Sequence, residues 1–97
     1  MNPVVVAEIR DRFSPPEAEH ILQLFQSASL PLLDGPLRER GRARVQLAVL
    51  KLSGGDLTQV ERWLREAELD WRDVLVASGL EHADWDKVLA SAGFRVP

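Results

Sequence analysis

A short phrase of sequence occurs twice near the carboxyl end of this chain and constrains its fold more than any other feature. Residues 70–80 read DWRDVLVASGL, and residues 84–94 repeat most of that phrase as DWDKVLASAGF. In each copy the first Asp can cap a helix, the Trp enters its first turn, a Val-Leu pair faces inward and a Gly ends it. The pattern predicts helices over about 71–78 and 85–92. Because such short helices are not stable alone in water, we expect them to pack against the rest of the chain.

The first third of the chain carries two further helix signals. Asn2, followed by a proline, can cap a helix over about 3–12. Ser14 and Glu17 have the spacing of a capping box, in which each side chain binds the other residue's backbone amide. They predict a second helix that ends near Ser27, with its apolar residues on one stripe.

The most apolar helix is predicted in the middle of the chain. Residues 45–53 include the run VQLAVLKL, which is apolar on nearly every side, so this helix should be central and surrounded. A Gly-Gly pair ends it, and Asp56 begins a further helix that runs to about Glu68. Gly41 lowers helix stability by about 1 kcal/mol relative to Ala and indicates a kink or a later true start.

Residues 30–36, LPLLDGP, form the one predicted loop of the chain. A helix cannot continue past Pro31, and Gly-Pro is typical of a turn, after which Pro36 can open the next helix. The three leucines favour a lid tucked over the core. The alternative is an exposed docking patch.

These patterns predict an all-α protein in which residues 1–97 form a single compact domain of five or six helices. The short carboxyl-terminal helices should pack on the central apolar helix. A hydrophobic share of 45% with 28% charged residues is typical of a globular protein, and the chain has no Cys for disulfides or thiolate sites. No apolar run suits a signal peptide or reaches the ~20 residues that a membrane helix needs. We therefore expect a soluble cytoplasmic protein that does not bind a membrane.

A basic segment over residues 38–44 is the strongest candidate for contact with a partner or with phosphate. It holds one Glu and four arginines, namely Arg38, Arg40, Arg42 and Arg44, whereas residues 56–86 carry a net charge of −6. Guanidinium groups match phosphate oxygens well, but the whole chain is acidic and no aromatic residue interrupts the run to stack on bases. The favoured interpretation is a solvated face whose arginines pair with acids of the same protein.

A single lysine interrupts the apolar helix. Lys51 must either extend to solvent beside Gln46 or pair with a carboxylate. Pairing with the turn at Asp70 and Asp73 would tie the central helix to the first copy of the repeat. We therefore predict a structural ion-pair network of Lys51, Asp70, Arg72 and Asp73.

The remaining aromatic and titratable residues predict no chemistry. Trp71 and Trp85 lie where a buried face is expected, although Trp is also enriched at binding hot spots. His20 and His82 stand alone, without metal-ligand spacing, and are predicted at the surface. Because no phosphate loop, nucleophile elbow or triad pattern occurs, we predict no catalytic, cofactor-binding or metal-binding residues.

Part of the chain resembles a known group of proteins. Residues 44–57, RVQLAVLKLSGGDL, followed by DWRDVL at 70–75, are similar to small uncharacterised bacterial all-helical proteins with Leu-Lys-Leu, Gly-Asp-Leu and Asp-aromatic-Arg-Asp motifs. The resemblance covers about residues 42–77. It implies a helical fold and carries no known activity, cofactor or partner.

Two function classes remain at this point. The favoured one is a non-enzymatic protein-interaction module, an adaptor or regulator that binds another protein near the 30–36 loop or through Arg38–Arg44. The alternative is a nucleic-acid-binding helical module that uses the same arginines, since helices joined by Gly-containing turns can form a helix-turn-helix. The acidic stretch after the Gly-Gly turn opposes this alternative, because it would repel phosphate.

Overall fold

Five α-helices account for most of the chain that the computed structural model describes, namely residues 1–31, 33 and 38–97. In chain order the helices are α1 Pro3–Arg12, α2 Pro15–Ser27, α3 Glu39–Ser53, α4 Leu57–Ser78 and α5 Trp85–Ser91. No β-strand occurs among the described residues. The prediction of an all-α fold with five or six helices is confirmed, because α4 itself contains one bend.

Three helix starts lie where the sequence signals place them, and two of the three have the predicted side-chain cap. Asn2 Oδ1 accepts a hydrogen bond from the backbone two residues on, at 2.9 Å. Asp56 Oδ1 accepts from two backbone amides of the first turn of α4, at 2.8 and 3.3 Å. Helix α2 begins after Ser14 as predicted, but the predicted capping box does not form. The Ser14 hydroxyl donates to Glu17 Oε1 at 3.0 Å and caps no backbone amide. Bonding to a carboxylate is stronger than bonding to a neutral group, so the side chains satisfy each other.

Helix α3 is the centre of the fold. Six of its apolar side chains are at most 2% exposed, namely Ala43, Val45, Leu47, Ala48, Val49 and Leu50. It makes its most extensive contact with α4 and also packs on α1. The prediction of a central, surrounded helix is confirmed. Gln46, which was expected on a polar face beside Lys51, is instead 3% exposed.

The first copy of the repeat is joined to the preceding helix without a loop. Asp70 has extended backbone angles, φ −157° and ψ 98°, and bends α4 at that point. Its Oδ1 accepts from Arg72 N at 3.1 Å, so it caps the second half of α4 as predicted. The second half ends at Gly79, whose φ of +79° is the left-handed conformation that glycine favours. The two helices expected here are therefore present, and they follow each other directly at Asp70 as the two halves of α4.

The second copy of the repeat folds differently from the first. Asp84 makes no side-chain cap to α5, so that prediction was wrong. Trp85 is 8% exposed and lies in the core, as expected. Trp71 in the first copy is only partly buried, and its Nε1 donates to Pro31 O at 2.7 Å. The two copies of the repeat thus differ in the burial of their tryptophans: Trp85 is buried, whereas Trp71 is only partly buried.

The described part of the 30–36 loop lies over the core. Leu30 and Leu33 are buried at 0% and 6% exposure, as expected for a lid. A Cβ on Gly41 would lie 3.1 Å from Leu33 Cδ2, so the glycine lets this leucine approach α3 closely. Helix α3 already includes Gly41, so the predicted later start was wrong. The other loop positions, including the predicted helix start at Pro36, lie outside the described residues.

Candidate functional site

The basic segment lies in the first half of α3, and three of its arginines donate to backbone carbonyls of this protein. Arg40 Nη1 donates to Pro97 O at 2.9 Å, and its guanidinium carbon lies 5.0 Å from the ring centre of Trp85. Arg38 makes no hydrogen bond or ring contact within the part of the chain that the structure describes. Most of the predicted contact segment is therefore engaged in internal contacts.

Arg42 and Arg44 bind the carboxyl-terminal ends of the helices on either side of α3. Arg42 Nη2 donates to Phe25 O and Ala28 O, at 3.1 and 2.9 Å, at the end of α2. Arg44 Nε donates to Leu80 O at 2.7 Å, just beyond the end of α4. The last carbonyls of a helix have no partner within it and carry partial negative charge, so a guanidinium is well suited to bind them.

Arg44 also helps to hold α5 in place. Its guanidinium carbon lies 5.3 Å from the ring centre of Trp85, beside that of Arg40. Burial lowers the pKa of the Arg44 guanidinium, and the carboxylate of Glu81 opposes this effect. For Arg40 and Arg44 the expected partners, acidic side chains, are replaced by carbonyl oxygens and an aromatic ring.

The predicted network around Lys51 is divided in the structure. Lys51 Nζ donates to Ser78 O at 2.8 Å, at the last residue of α4, and is not brought to the carboxylates of the bend. Asp70 pairs instead with Arg72, at 3.0 Å, and hydrogen bonds from that arginine lower the pKa of the Asp70 carboxyl. Asp73 is exposed. Lys51 thus ties α3 to α4 through a helix end, not through an ion pair.

A cluster that the sequence analysis did not select joins α1 to the chain near its carboxyl end. Glu8 is 2% exposed and accepts from Arg12 Nε and Arg95 N, both at 2.7 Å, and from Arg95 Nη1 at 3.2 Å. The guanidinium carbon of Arg12 lies 3.6 Å from the ring centre of Phe94. Burial alone would raise the pKa of the Glu8 carboxyl, but the Arg95 amide and the Arg12 guanidinium outweigh it and lower this pKa. We call these four residues the Glu8 cluster.

Only the Glu8–Arg12 contact of the Glu8 cluster could have been predicted from the sequence. Glu8 and Arg12 are four residues apart, a spacing that favours ion pairs on a helix. Arg95 is 87 positions from Glu8, and nothing local connects the two.

A cavity of about 400 Å³ lies where the start of α1, the end of α2 and the first half of α3 meet. Its lining includes Asn2, Phe25, Gln26, Glu39, Arg42 and Gln46. A second depression of about 390 Å³ borders the Glu8 cluster. The first cavity combines a buried amide with apolar and charged groups, which is the usual composition of a small-molecule site.

Two apolar side chains of α4, one before the bend and one after it, are exposed to solvent. Leu69 is 81% exposed and Val76 is 63% exposed, and Trp71 between them is partly buried. The Trp71 bond to Pro31 holds the loop against this bend. We call Leu69, Trp71 and Val76 the bend surface.

Within the described ranges no three His, Cys, Asp or Glu side chains are placed to hold a metal ion, and His20 and His82 are exposed. None of the described helices has the length and apolar character required to cross a membrane. No protein-family model matches the chain, and no curated protein or solved structure shows significant similarity to it. The resemblance of residues 42–77 to small bacterial proteins stays a prediction.

Proposed function

We propose that this protein is a non-enzymatic interaction module of the cytoplasm, an adaptor or regulator that binds a protein partner through the bend surface. The observation that carries the proposal is the exposure of Leu69 and Val76, at 81% and 63%. Other apolar residues of the same helix, such as Val60 and Val74, are fully buried. Covering the two exposed side chains would contribute about 2–4 kcal/mol to a complex.

The surroundings of the bend surface suit a binding site that is already ordered before the partner arrives. Trp71 is held by its bond to Pro31 O, and Ser29 N donates to Glu68 Oε2 at 3.3 Å, shortly before the bend in the sequence. Binding is tighter when the surface does not have to be ordered on contact. The exposed pair of Asp70 and Arg72 places both signs of charge at the rim, where charges govern orientation and association rate.

The proposal is tested by removing the apolar character of the bend surface. We expect the wild-type protein to enrich a specific protein from the native lysate, and the double variant Leu69→Glu, Val76→Glu to reduce that enrichment at least about tenfold. Val96→Glu is the matched control, since Val96 is also exposed but lies far along the chain. The captured protein is then purified and its affinity for all three forms measured by calorimetry.

Two results would contradict the proposal. One is a partner that binds the double variant as well as the wild type. The other is a lysate in which the wild type enriches nothing over the double variant. Because the substituted positions are exposed, each variant should melt within a few degrees of the wild type, and this is checked first.

The nucleic-acid alternative is not favoured by the contacts of the basic segment. Arg40, Arg42 and Arg44 donate to internal carbonyls, and neutralising them would break bonds within the protein. A gel-shift titration at low salt tests the alternative directly. Tight binding that falls steeply with salt would support it, whereas phosphate contact by Arg38 alone would give a salt slope of about 1.

A further inference from the structure

We infer that the cavity between α1, α2 and α3 binds a small neutral molecule in which a primary carboxamide, or an equivalent adjacent donor and acceptor, is attached to an apolar ring. The cavity measures about 400 Å³, near the lower end of the range for small-molecule sites. It therefore suits a single substituted ring. It lies apart from the bend surface, so this inference and the proposed function succeed or fail separately.

The polar anchor of the site is the Gln46 side chain. Gln46 is 3% exposed and lines the cavity. Among the described residues, the Gln46 amide forms no hydrogen bond. Every side-chain nitrogen or oxygen that is fully enclosed in this part of the chain does have a hydrogen-bond partner. The small exposure that remains on Gln46 must therefore include its amide, where it faces the cavity. An amide has one acceptor oxygen and two donor hydrogens, so a second amide edge can satisfy both functions at once.

The rest of the lining selects for a neutral, partly apolar ligand. The apolar surface that a ring can reach comes from Met1, which is 46% exposed, whereas Phe25 lies behind the lining with 0% exposure. Glu39 and Arg42 bring opposite charges to the lining. A ligand with a single charge meets one like charge in this site, whereas a neutral dipolar ligand meets none.

Benzamide is the probe that carries both required features. We expect it to shift backbone NMR signals of the cavity residues with a Kd of about 1–10 mM, which is realistic for a ligand of so few atoms. Methyl benzoate has a similar size and shape but no N–H donor. It should bind at least about tenfold more weakly, because the hydrogen bonds to the Gln46 amide cannot all form.

A matched pair of variants assigns the effect to one side chain. Gln46→Met keeps the length of the side chain and removes the amide, so benzamide should lose at least about tenfold in affinity while methyl benzoate is little changed. Gln23→Met makes the same substitution at an exposed position of α2 and should bind benzamide like the wild type.

The inference is overturned by any of three results. Benzamide at about 10 mM leaves the cavity signals unmoved, methyl benzoate binds as well as benzamide, or Gln46→Met binds benzamide like the wild type. If Gln46→Met does not fold, the wild-type comparison of the two probes decides. Magnetisation transfer from the benzamide ring to the Met1 methyl group then locates the ligand, and transfer to Phe94 instead is a fourth result that overturns the inference.

Discussion

Replacing Glu8 by glutamine tests whether the Glu8 cluster fastens the carboxyl-terminal part of the chain to α1. The Glu8 carboxylate accepts from Arg12 Nε and Arg95 N at 2.7 Å each. Glutamine has nearly the same shape, but an NH₂ group replaces one of the acceptor oxygens. Whichever way the amide turns, one of the arginine donors then faces another donor.

The structure sets the size of the expected effect. Removing one partner of a buried ion pair costs about 3–5 kcal/mol. The side chains of Arg12 and Arg95 are 33% and 49% exposed, so water replaces part of what they lose. We therefore expect Glu8→Gln to lower the free energy of unfolding by about 2–3 kcal/mol. In a domain of this size that corresponds to a fall in Tm of about 10–20 °C.

Urea and thermal unfolding, followed by circular dichroism at pH 7, measure this loss. Glu19→Gln is the control, because Glu19 pairs with Arg10 at 3.0 Å but both side chains are more than half exposed. An exposed pair of this kind contributes less than about 0.5 kcal/mol. The reasoning is refuted if Glu8→Gln costs no more than Glu19→Gln.

The pH dependence of stability gives an independent measure of the same cluster. The pKa of Glu8 is lowered in the folded protein, so the unfolded chain binds this proton more readily. The contribution of Glu8 is therefore complete above the ordinary glutamate pKa of about 4.3 and is lost as the pH falls below it. Glu8→Gln should lack this part of the acid loss, and parallel pH curves for the two proteins would show that Glu8 is not its source.

Three further substitutions test the internal contacts of the basic residues and of the bend. Arg44→Gln should lower the free energy of unfolding by about 1–2 kcal/mol, while Arg38→Gln should change it by less than about 0.5 kcal/mol; equal effects in urea unfolding would contradict the assignment. Lys51→Met should cost about 1 kcal/mol through the lost bond at the end of α4, against no measurable cost for the exposed Lys87→Met. Trp71→Phe removes the bond to Pro31 O and part of a side chain that packs against the core, so it should cost about 1–2 kcal/mol; an unchanged Tm would show that this bond contributes nothing to stability.

Helix positions were predictable because their signals are local. The caps at Asn2 and Asp56 act within three residues of sequence, and the left-handed glycine at Gly79 ends α4 where the pattern indicated. Burial of α3 was predictable for a related reason, since a helix that is apolar on nearly every side cannot face water.

The two Asp-Trp copies show where local reasoning ends. Asp56 and Asp70 cap their helices from extended backbone, with ψ of 120° and 98°. Asp84 has a ψ of 20°, a conformation unlike the β-region backbone from which a side chain normally reaches the first amides of a helix. The residue type is the same in all three cases. Whether the Asp side chain caps the helix depends on the backbone conformation with which the chain enters the helix, and tertiary packing sets that conformation.

The partners of the basic residues of α3 could not be predicted because they lie far away along the chain. Arg42 reaches carbonyls 14 and 17 positions away, Lys51 one at 27, and Arg44 one at 36. All three donate at or just beyond the carboxyl-terminal ends of α2 and α4, the helices that precede and follow α3 in the chain. A central helix with helix ends packed against it must supply donors for their unpaired carbonyls, or water must reach them. A run of arginines on such a helix is therefore explained first by the helix ends it contacts. Because these internal contacts already account for Arg40, Arg42 and Arg44, the binding surface is sought at the bend of α4.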